Sequence, residues 1–302
     1  MKAGEIERFK RDAEKISREG IKQDEPMSLH TTIAVGGPAK FFAVPRSSRE
    51  VVELVKLARG RDLDFIVIGK GSNLLVRDGG YRGMVIKIGH NLSRIKLNKQ
   101  TIFAEAGASF SLLARKSLSH GRSGFEFALG IPGTVGGAVR MNAGAYGSEV
   151  SNVLVRLRVI DENSKVWVIK AREIEFGYRR IGLPHNAIVL SATFFCPPGE
   201  VNKEILAKST QRKRTQPVSS KSFGCTFVNP PGAHAGRLID ACGLKGTRSG
   251  GAMISKKHAN FILNVGENTK ASDVEALIDL AKREVRKKFG VSLRPEVIII
   301  GH

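Results

Sequence analysis

Aromatic residues are scarce in this chain, 6% of 302 residues with a single Trp and three Tyr. Nucleic-acid recognition draws on aromatics interleaved with cations, and no such motif occurs. Cysteine is equally sparse. Cys196, Cys225 and Cys242 are odd in number and lack metal-ligand spacing, so neither a disulfide framework nor a zinc site is expected. No apolar run approaches the roughly 20 residues that span a bilayer. The opening MKAGEIERFKRDAEKI is charged and has no signal-peptide apolar core, which makes the cytoplasm the default expectation. Acids are few beside bases, 28 Asp and Glu against 49 Lys and Arg. A formal charge of +21 suits anionic partners, yet the cations are spread from Arg8 to Lys288. They read mostly as solvated surface, with some expected to line a cleft for a diphosphate-bearing substrate.

What is plentiful is glycine in two places. The stretch GIPGTVGGAVRMNAGAYG carries Gly130, Gly133, Gly136, Gly137, Gly144 and Gly147. Such density weakens helices and strands alike, and is tolerable where backbone itself must touch something. Two readings stand on this stretch alone: a tightly turned core segment, or a main-chain surface pressed against a flat cofactor or a phosphate. The other stretch, which comes first in the chain, follows the apolar run Asp64–Ile68, a buried-strand pattern, and reads Gly69-Lys70-Gly71-Ser72-Asn73. Small residues after a strand let successive N–H groups form an anion nest. It is neither a Walker loop, since the closing Gly-Lys-Ser/Thr is missing, nor GxGxxG, since Leu74 takes the third glycine's place. A lone GxGS is weak; two glycine-rich stretches in one chain point to a long phosphate-bearing ligand.

Periodicity supplies the rest. Helices are expected over residues 4–19, from Ser47 or Ser48 through Ala58, over Phe110–His120 closed by Gly121, and over Val201–Arg214. Strands are expected at Lys40–Val44, 64–68, Gly83–Ile88, Leu92–Leu97, Ile102–Ala106, Val153–Val159, Val166–Lys170 and Ile188–Phe195. Pro197-Pro198-Gly199 breaks the chain. Beyond it a smaller α/β unit is expected, with helices at Ala235–Ala241 and Ala271–Phe289, strands at Ala252–Ser255 and Asn260–Val265, and a last strand from Glu296 to Ile300.

The pair GKGSNLLVRDGG and GIPGTVGGAVRMNAGAYG closely resembles the UDP-N-acetylenolpyruvoylglucosamine reductase family, within the vanillyl-alcohol-oxidase-like (PCMH-type) flavoproteins. The similarity runs from about Thr31 to Gly301. It implies an α+β fold: an FAD-binding region over residues 1–199, in subdomains of about 1–62 and 63–199, then a substrate domain over 200–290 and a C-terminal strand over 291–302. It also implies NADPH-dependent, FAD-mediated reduction of UDP-N-acetylglucosamine enolpyruvate to UDP-N-acetylmuramate in peptidoglycan precursor synthesis. The partner is then a small UDP-sugar, with no nucleic acid, membrane or metal involved, and the chain a monomer. For FAD the resemblance implies Gly69, Lys70, Gly71, Ser72, Asn73 and Leu74 from one stretch. From the other it implies Gly133, Thr134, Gly136, Gly137, Asn142, Gly144 and Ala145.

Three motifs carry chemistry. In Phe176-Gly177-Tyr178-Arg179 the isolated pattern suits a surface arginine near a turn, while the resemblance makes Arg179 the partner of the enolpyruvyl carboxylate, with Tyr178 beside it. In Gly224-Cys225-Thr226-Phe227-Val228-Asn229-Pro230, the family's proton-donating serine is replaced by Cys225. A thiol, with an ordinary pKa of about 8.5, is a competent donor, and a buried apolar cysteine is the competing reading. In Arg294-Pro295-Glu296-Val297, Glu296 matches the family's catalytic carboxylate, its protonation form open. The resemblance assigns Asn229 to substrate and puts Lys213 and Arg214 in the stretch that holds the diphosphate, although the family lysine itself aligns with Thr215. His258 aligns with a substrate-binding glutamine of some members, a structural histidine being an equal reading. Only IGLPHNA follows Arg180, so the chain resembles the shorter members that lack a substrate lid. An oxidoreductase of a small alcohol on the same fold is the alternative; it needs the glycine stretches but not Arg179, Cys225 and Glu296 together.

Overall fold

The N-terminal helix α1 (Ala3–Ile16) turns Phe9 and Ala13 inward, and Phe9 meets Phe41 at 4.7 Å between ring centroids. This computed structural model describes residues 3–184 and 186–302, apart from the side chains of Ala3 and Lys213. Strands β1 (Ile21–Pro26) and β2 (Pro38–Ala43) follow, then helix α2 (Ser48–Gly60), capped by Ser47, whose hydroxyl accepts the Glu50 N–H as the sequence led one to expect. Next come β3 (Phe65–Ile68), β4 (Leu74–Val76) and β5 (Tyr81–Lys87). β1, β2, β5 and β3 form one sheet in that order, β3 running parallel to β5. Strand β1 escaped the sequence reading because only Ile21 is buried and it holds Lys22, Asp24 and Glu25.

Strands β6 (Ile95–Leu97) and β7 (Thr101–Glu105) lead to helix α3 (Phe110–Ser119). The strand expected from Leu92 starts only at Ile95, because His90–Leu92 is a single tight turn. Helix α4 (Val135–Arg140) lies inside the second glycine stretch, where none was expected. Thr134 caps it, Ala138 and Val139 are buried beneath it, and Gly136 sits where a Cβ would press on the Ala106 Cβ at 3.0 Å. Glycine here lets helix and strand approach closely, an interaction invisible to local propensity.

A small hairpin of β8 (Gly144–Ala145) and β9 (Ser148–Glu149) turns through Tyr146 and Gly147, both at positive φ (57° and 81°). Helix α5 (Val150–Val153), β10 (Leu154–Ile160), β11 (Val166–Lys170), a second small hairpin of β12 (Phe176–Gly177) and β13 (Arg180–Ile181), and β14 (Ile188–Phe195) complete the region. A five-stranded sheet runs β11–β10–β14–β7–β6, with every pair antiparallel. Its inner face packs Phe194 edge-on to Phe125, at 5.4 Å, in the larger core.

After the prolines, α6 (Lys203–Thr215) and α7 (Ala235–Ala241) precede the sheet β15 (Arg248–Ser249), β16 (Ala252–Ile254), β17 (Ile262–Asn264). Helix α8 (Ala271–Phe289) ends at Gly290 in the left-handed region, as its sequence implies. The last strand, β18 (Ile298–Ile300), pairs in parallel with β4 in the register Ile298–Leu74, Ile299–Leu75, Ile300–Val76. It begins two residues beyond the expected Glu296.

The chain divides into two compact units that are not contiguous in sequence. The first comprises residues 1–23, 41–70 and 83–210; the second comprises 24–40, 71–82 and 211–302. Pro197-Pro198-Gly199 therefore lies inside the first unit. The second has its own core, in which Phe223, Phe227, Ile254, Leu277 and Val285 pack with Ile33, Val35 and Leu75 from the two inserted segments.

Asp78 ties one inserted segment to α8. Its carboxylate accepts the Ala271 N–H at 2.7 Å and the Ser272 N–H at 3.0 Å. Burial alone would raise its pKa, but these two donors outweigh it and hold the carboxyl below the ordinary value. Asp78→Ala is expected to cost about 1 kcal/mol, read as a drop of a few degrees in Tm at neutral pH. Because the folded pKa is depressed, this contribution is present above the unfolded value near 3.9 and is lost as pH falls through the folded one. The Tm gap between wild type and variant should close on acidification below about pH 4. A gap that persisted would remove the charged cap as its cause.

Candidate active site

In the first unit the two glycine stretches meet. Gly69 follows β3, and a Cβ placed on it would overlap the Thr134 hydroxyl, so only glycine lets the chain pass there. Gly133 lies at φ 116°, and Gly137 on α4 is exposed bare backbone. The N–H groups of Gly133 and Thr134 donate to no acceptor among the described residues. Buried main-chain donors are seldom left unspent, and both residues are buried. Lys70 is exposed, while Gly144 and Ala145 line the small hairpin half-buried.

The same unit positions Arg179. It occupies the left-handed region at φ 57°, in the tight turn between β12 and β13, where Gly177 pairs with Arg180. A bulky side chain in that conformation costs on the order of 1–2 kcal/mol and needs fixed surroundings. The Arg179 Nη1 donates to the Gly144 carbonyl at 3.1 Å, and its guanidinium lies 5.3 Å from the centre of the Tyr178 ring. Tyr178 is half exposed.

Asn142 was expected to contact the cofactor. Its side chain is fully buried and spent on the protein, and its N–H donates to the Val139 carbonyl at 3.0 Å, so every donor it has is engaged within the protein. Nδ2 donates to Glu149 Oε1 at 2.8 Å and to the Gly177 carbonyl at 3.1 Å, and Oδ1 accepts the Ser151 N–H at 3.0 Å.

In the second unit, Cys225 and Glu296 are brought onto adjoining segments. The Glu296 N–H donates to the Thr226 carbonyl at 2.8 Å, and Phe227 bridges Pro295. The Glu296 carbonyl accepts the Asn73 side-chain amide at 3.0 Å, and the Asn73 carbonyl accepts the Ile298 N–H at 3.0 Å. Thus the first glycine stretch, through Asn73, holds the segment that carries Glu296. Gly71 sits at φ 62°, and a Cβ there would overlap the His30 carbonyl. The N–H groups of Gly71 and Ser72 donate to nothing among the described residues. Leu74 is buried in β4.

Two residues that sequence reasoning passed over shape this arrangement. Asn260 pairs both ways with Phe227, accepting its N–H at 2.9 Å and donating to its carbonyl at 2.8 Å, while its own carbonyl accepts the Thr226 N–H at 2.8 Å. A side chain imitating a strand partner has no local sequence signature beyond a polar residue in an apolar run. Thr32 donates its hydroxyl to the Ser222 carbonyl at 2.6 Å and its N–H to the Gly71 carbonyl at 3.2 Å. Thr226 Oγ1, next to Cys225, is buried with no hydrogen-bond partner among the described residues.

The remaining expected substrate residues fare unequally. Asn229 is exposed, and its Oδ1 accepts the Ala235 N–H at 3.0 Å where α7 begins, while its amide N–H groups donate to no acceptor among the described residues. His258 packs at 5.0 Å from the Phe261 ring, its Nδ1 accepts the Asn260 N–H at 3.3 Å, and burial followed by Lys245 lowers its pKa. Arg214 is exposed on α6, and the Lys213 side chain lies outside the described residues, as does residue 185 of the short segment after β13. Among the described residues no cluster of His, Cys, Asp and Glu could hold a metal, and no helix is long and apolar enough to cross a membrane.

The match to known proteins agrees with this geometry. Residues 39–170 match an FAD binding domain, which contains both glycine stretches. That match, with the fold, makes the chain an FAD-dependent flavoprotein of PCMH-type architecture. A 4-ethylphenol oxidase from Gulosibacter chungangensis shares the fold alone, at TM-score 0.50 and 14% identity over 66% of this chain and 44% of that one. Residues 216–300 match the UDP-N-acetylenolpyruvoylglucosamine reductase C-terminal domain. The chain is 43% identical over 291 residues to the UDP-N-acetylenolpyruvoylglucosamine reductase of Caldanaerobacter subterraneus, covering 95% of this chain and 96% of that one. Its identity to the same enzyme of Clostridioides difficile is 39% over 290 residues, 95% of each chain. The crystal structure of the reductase from Thermus caldophilus superposes at TM-score 0.78 with 36% identity, covering 91% of this chain and 97% of that one. The chain belongs to the UDP-N-acetylenolpyruvoylglucosamine reductase family and is an FAD-dependent oxidoreductase, a UDP-N-acetylmuramate dehydrogenase of peptidoglycan precursor synthesis.

Proposed function

We propose that this chain reduces the enolpyruvyl ether of its UDP-sugar substrate with Arg179, Cys225 and Glu296 as its catalytic residues. The observation that carries the reading is the hydrogen bond from the Glu296 N–H to the Thr226 carbonyl, which brings the backbone segments of Cys225 and Glu296 side by side in one unit. Bound FAD would supply the hydride chemistry that links NADPH to the terminal enol carbon. The adjacent carbon and its carboxylate then need a stabilised negative charge and a proton. Arg179 offers a fixed cation to that carboxylate, Glu296 stabilises the enediolate, and the Cys225 thiol gives its proton to the carbon. Hydride plus proton saturate the double bond, so the atoms balance. Preorganised charge of this kind is often the largest single contribution to such catalysis.

For the cofactor, we assign Gly69, Lys70, Gly133, Thr134, Gly136, Gly137, Gly144 and Ala145 in the first unit, and Gly71, Ser72, Asn73 and Leu74 in the second. The unspent N–H groups of Gly71, Ser72, Gly133 and Thr134 suit phosphate oxygens. Residues 1–199 serve the cofactor, 200–290 the substrate, and 291–302 return Glu296. Tyr178, Lys213, Arg214, Asn229 and His258 are assigned to substrate. The enzyme works in the cytoplasm as a monomer, without nucleic acid, membrane or metal. Purified protein should be yellow, and should oxidise NADPH rapidly only when UDP-N-acetylglucosamine enolpyruvate is added. A colourless protein, or one turning over simple alcohols instead, would reject this reading.

A further inference from the structure

Asn142 adopts φ 40°, in the region where asparagine is the best tolerated residue after glycine. It has 0% exposure, and both amide hydrogens and the amide oxygen are engaged. One of those bonds holds a carbonyl thirty-five positions away, that of Gly177, the residue just before Tyr178-Arg179. The hairpin so held is short: Phe176 pairs with Ile181 and Gly177 with Arg180, and one further bond, from the Gly182 N–H to the Glu175 carbonyl at 2.7 Å, extends it. A two-stranded ribbon this short is not stable by itself. Its tip points a half-exposed Tyr178 outward, so packing cannot fix it there. Two hydrogen bonds do so: Asn142 Nδ2 to the Gly177 carbonyl, and Arg179 Nη1 to the Gly144 carbonyl. Both reach the same stretch, Asn142 to Gly144. The amide is itself oriented from behind, because Glu149 Oε1 takes its second hydrogen and also accepts the Ser151 hydroxyl at 2.6 Å.

We infer that Asn142 is a positioning residue for Arg179, acting through the Gly177 carbonyl rather than through the flavin. This rests on the proposed pairing of Arg179 with the substrate carboxylate. A guanidinium held at a strained φ loses its aim if the carbonyl preceding the turn is released, and a misplacement of about 1 Å can cost on the order of 100-fold in rate.

The test is a double-mutant cycle on flavin-loaded enzyme, with the two half-reactions followed by stopped flow. Asn142→Gly removes the amide while tolerating φ 40°. Flavin content and reduction by NADPH should stay within about twofold of wild type, while reoxidation by UDP-N-acetylglucosamine enolpyruvate slows by about 10- to 100-fold. In an Arg179→Ala background the same change should do nothing further, because its route of action is already gone. Additive losses, or loss of flavin with reoxidation intact, overturn the inference. An Arg179→Ala enzyme with normal reoxidation removes the underlying reading of Arg179, a result distinguishable from either. Should Asn142→Gly not fold, Asn142→Asp runs the same cycle, since it keeps the acceptor for Ser151 and removes both donors.

Discussion

Cys225→Ala is expected to leave flavin reduction by NADPH unchanged and to slow reoxidation by the enolpyruvyl substrate by about 10²- to 10⁴-fold, the usual worth of a positioned proton donor. The segment around Cys225 is well determined without the thiol. Thr226 is paired to the Asn260 carbonyl, Phe227 is clamped from both sides by the Asn260 amide, and Phe223 and Phe227 are buried in the second core. Removing one sulfur from a half-buried position should therefore leave the fold standing, so the loss reports chemistry. Cys225→Ser is the informative companion. It restores an O–H donor at the position where serine is the family's commoner residue, and should recover most of the rate. It should also shift the alkaline limb of reoxidation to higher pH, because a hydroxyl keeps its proton where thiols, with an ordinary pKa of about 8.5, lose theirs. Full activity in Cys225→Ala would leave the protonation to another group.

The elements that could be read from sequence are those whose determinants are local. Ser47 as a cap, Phe110 opening a helix, the span of α8 and the strand Ile188–Phe195 all follow from periodicity and end signals, and all stand where expected. The losses occur where tertiary contact overrides local pattern. Helix α4 forms through glycines because Gly136 must clear Ala106. Strand β4 exists only because β18, at the far end of the chain, pairs with it. The interleaving of the two units follows from the same cause: residues 24–40 and 71–82 belong with the C-terminal core through Ile33, Val35 and Leu75, contacts that no linear boundary can express. For the site, residue types and motifs indicated the chemistry, whereas the supporting amides did not show. The resemblance names Asn73 and Asn142 for the cofactor, and nothing local in the sequence shows that their amides hold the Glu296 and Gly177 carbonyls.

That support makes Glu296 a clean target. Its N–H and carbonyl are both anchored, to the Thr226 carbonyl and by the Asn73 amide, and neither bond uses the carboxyl. Glu296→Gln keeps side-chain shape and both backbone bonds, so flavin binding, the visible spectrum and reduction by NADPH should be preserved. Reoxidation by the enolpyruvyl substrate should fall by about 10²- to 10⁴-fold, since an amide can donate a hydrogen bond but cannot release a proton as a carboxyl can. Glu296→Asp separates two ways of failing. If the need is for an acid at a fixed point, shortening the chain by one methylene should cost nearly as much as removing the acid. If an acid anywhere near that point suffices, Asp should recover most of the rate while Gln does not. Asn73→Ala then predicts a milder version of the Glu296→Asp defect, because it frees the carbonyl and lets the acid drift without changing its chemistry. Reoxidation at the wild-type rate in Glu296→Gln would remove the carboxyl from the reaction and leave that segment a purely structural role.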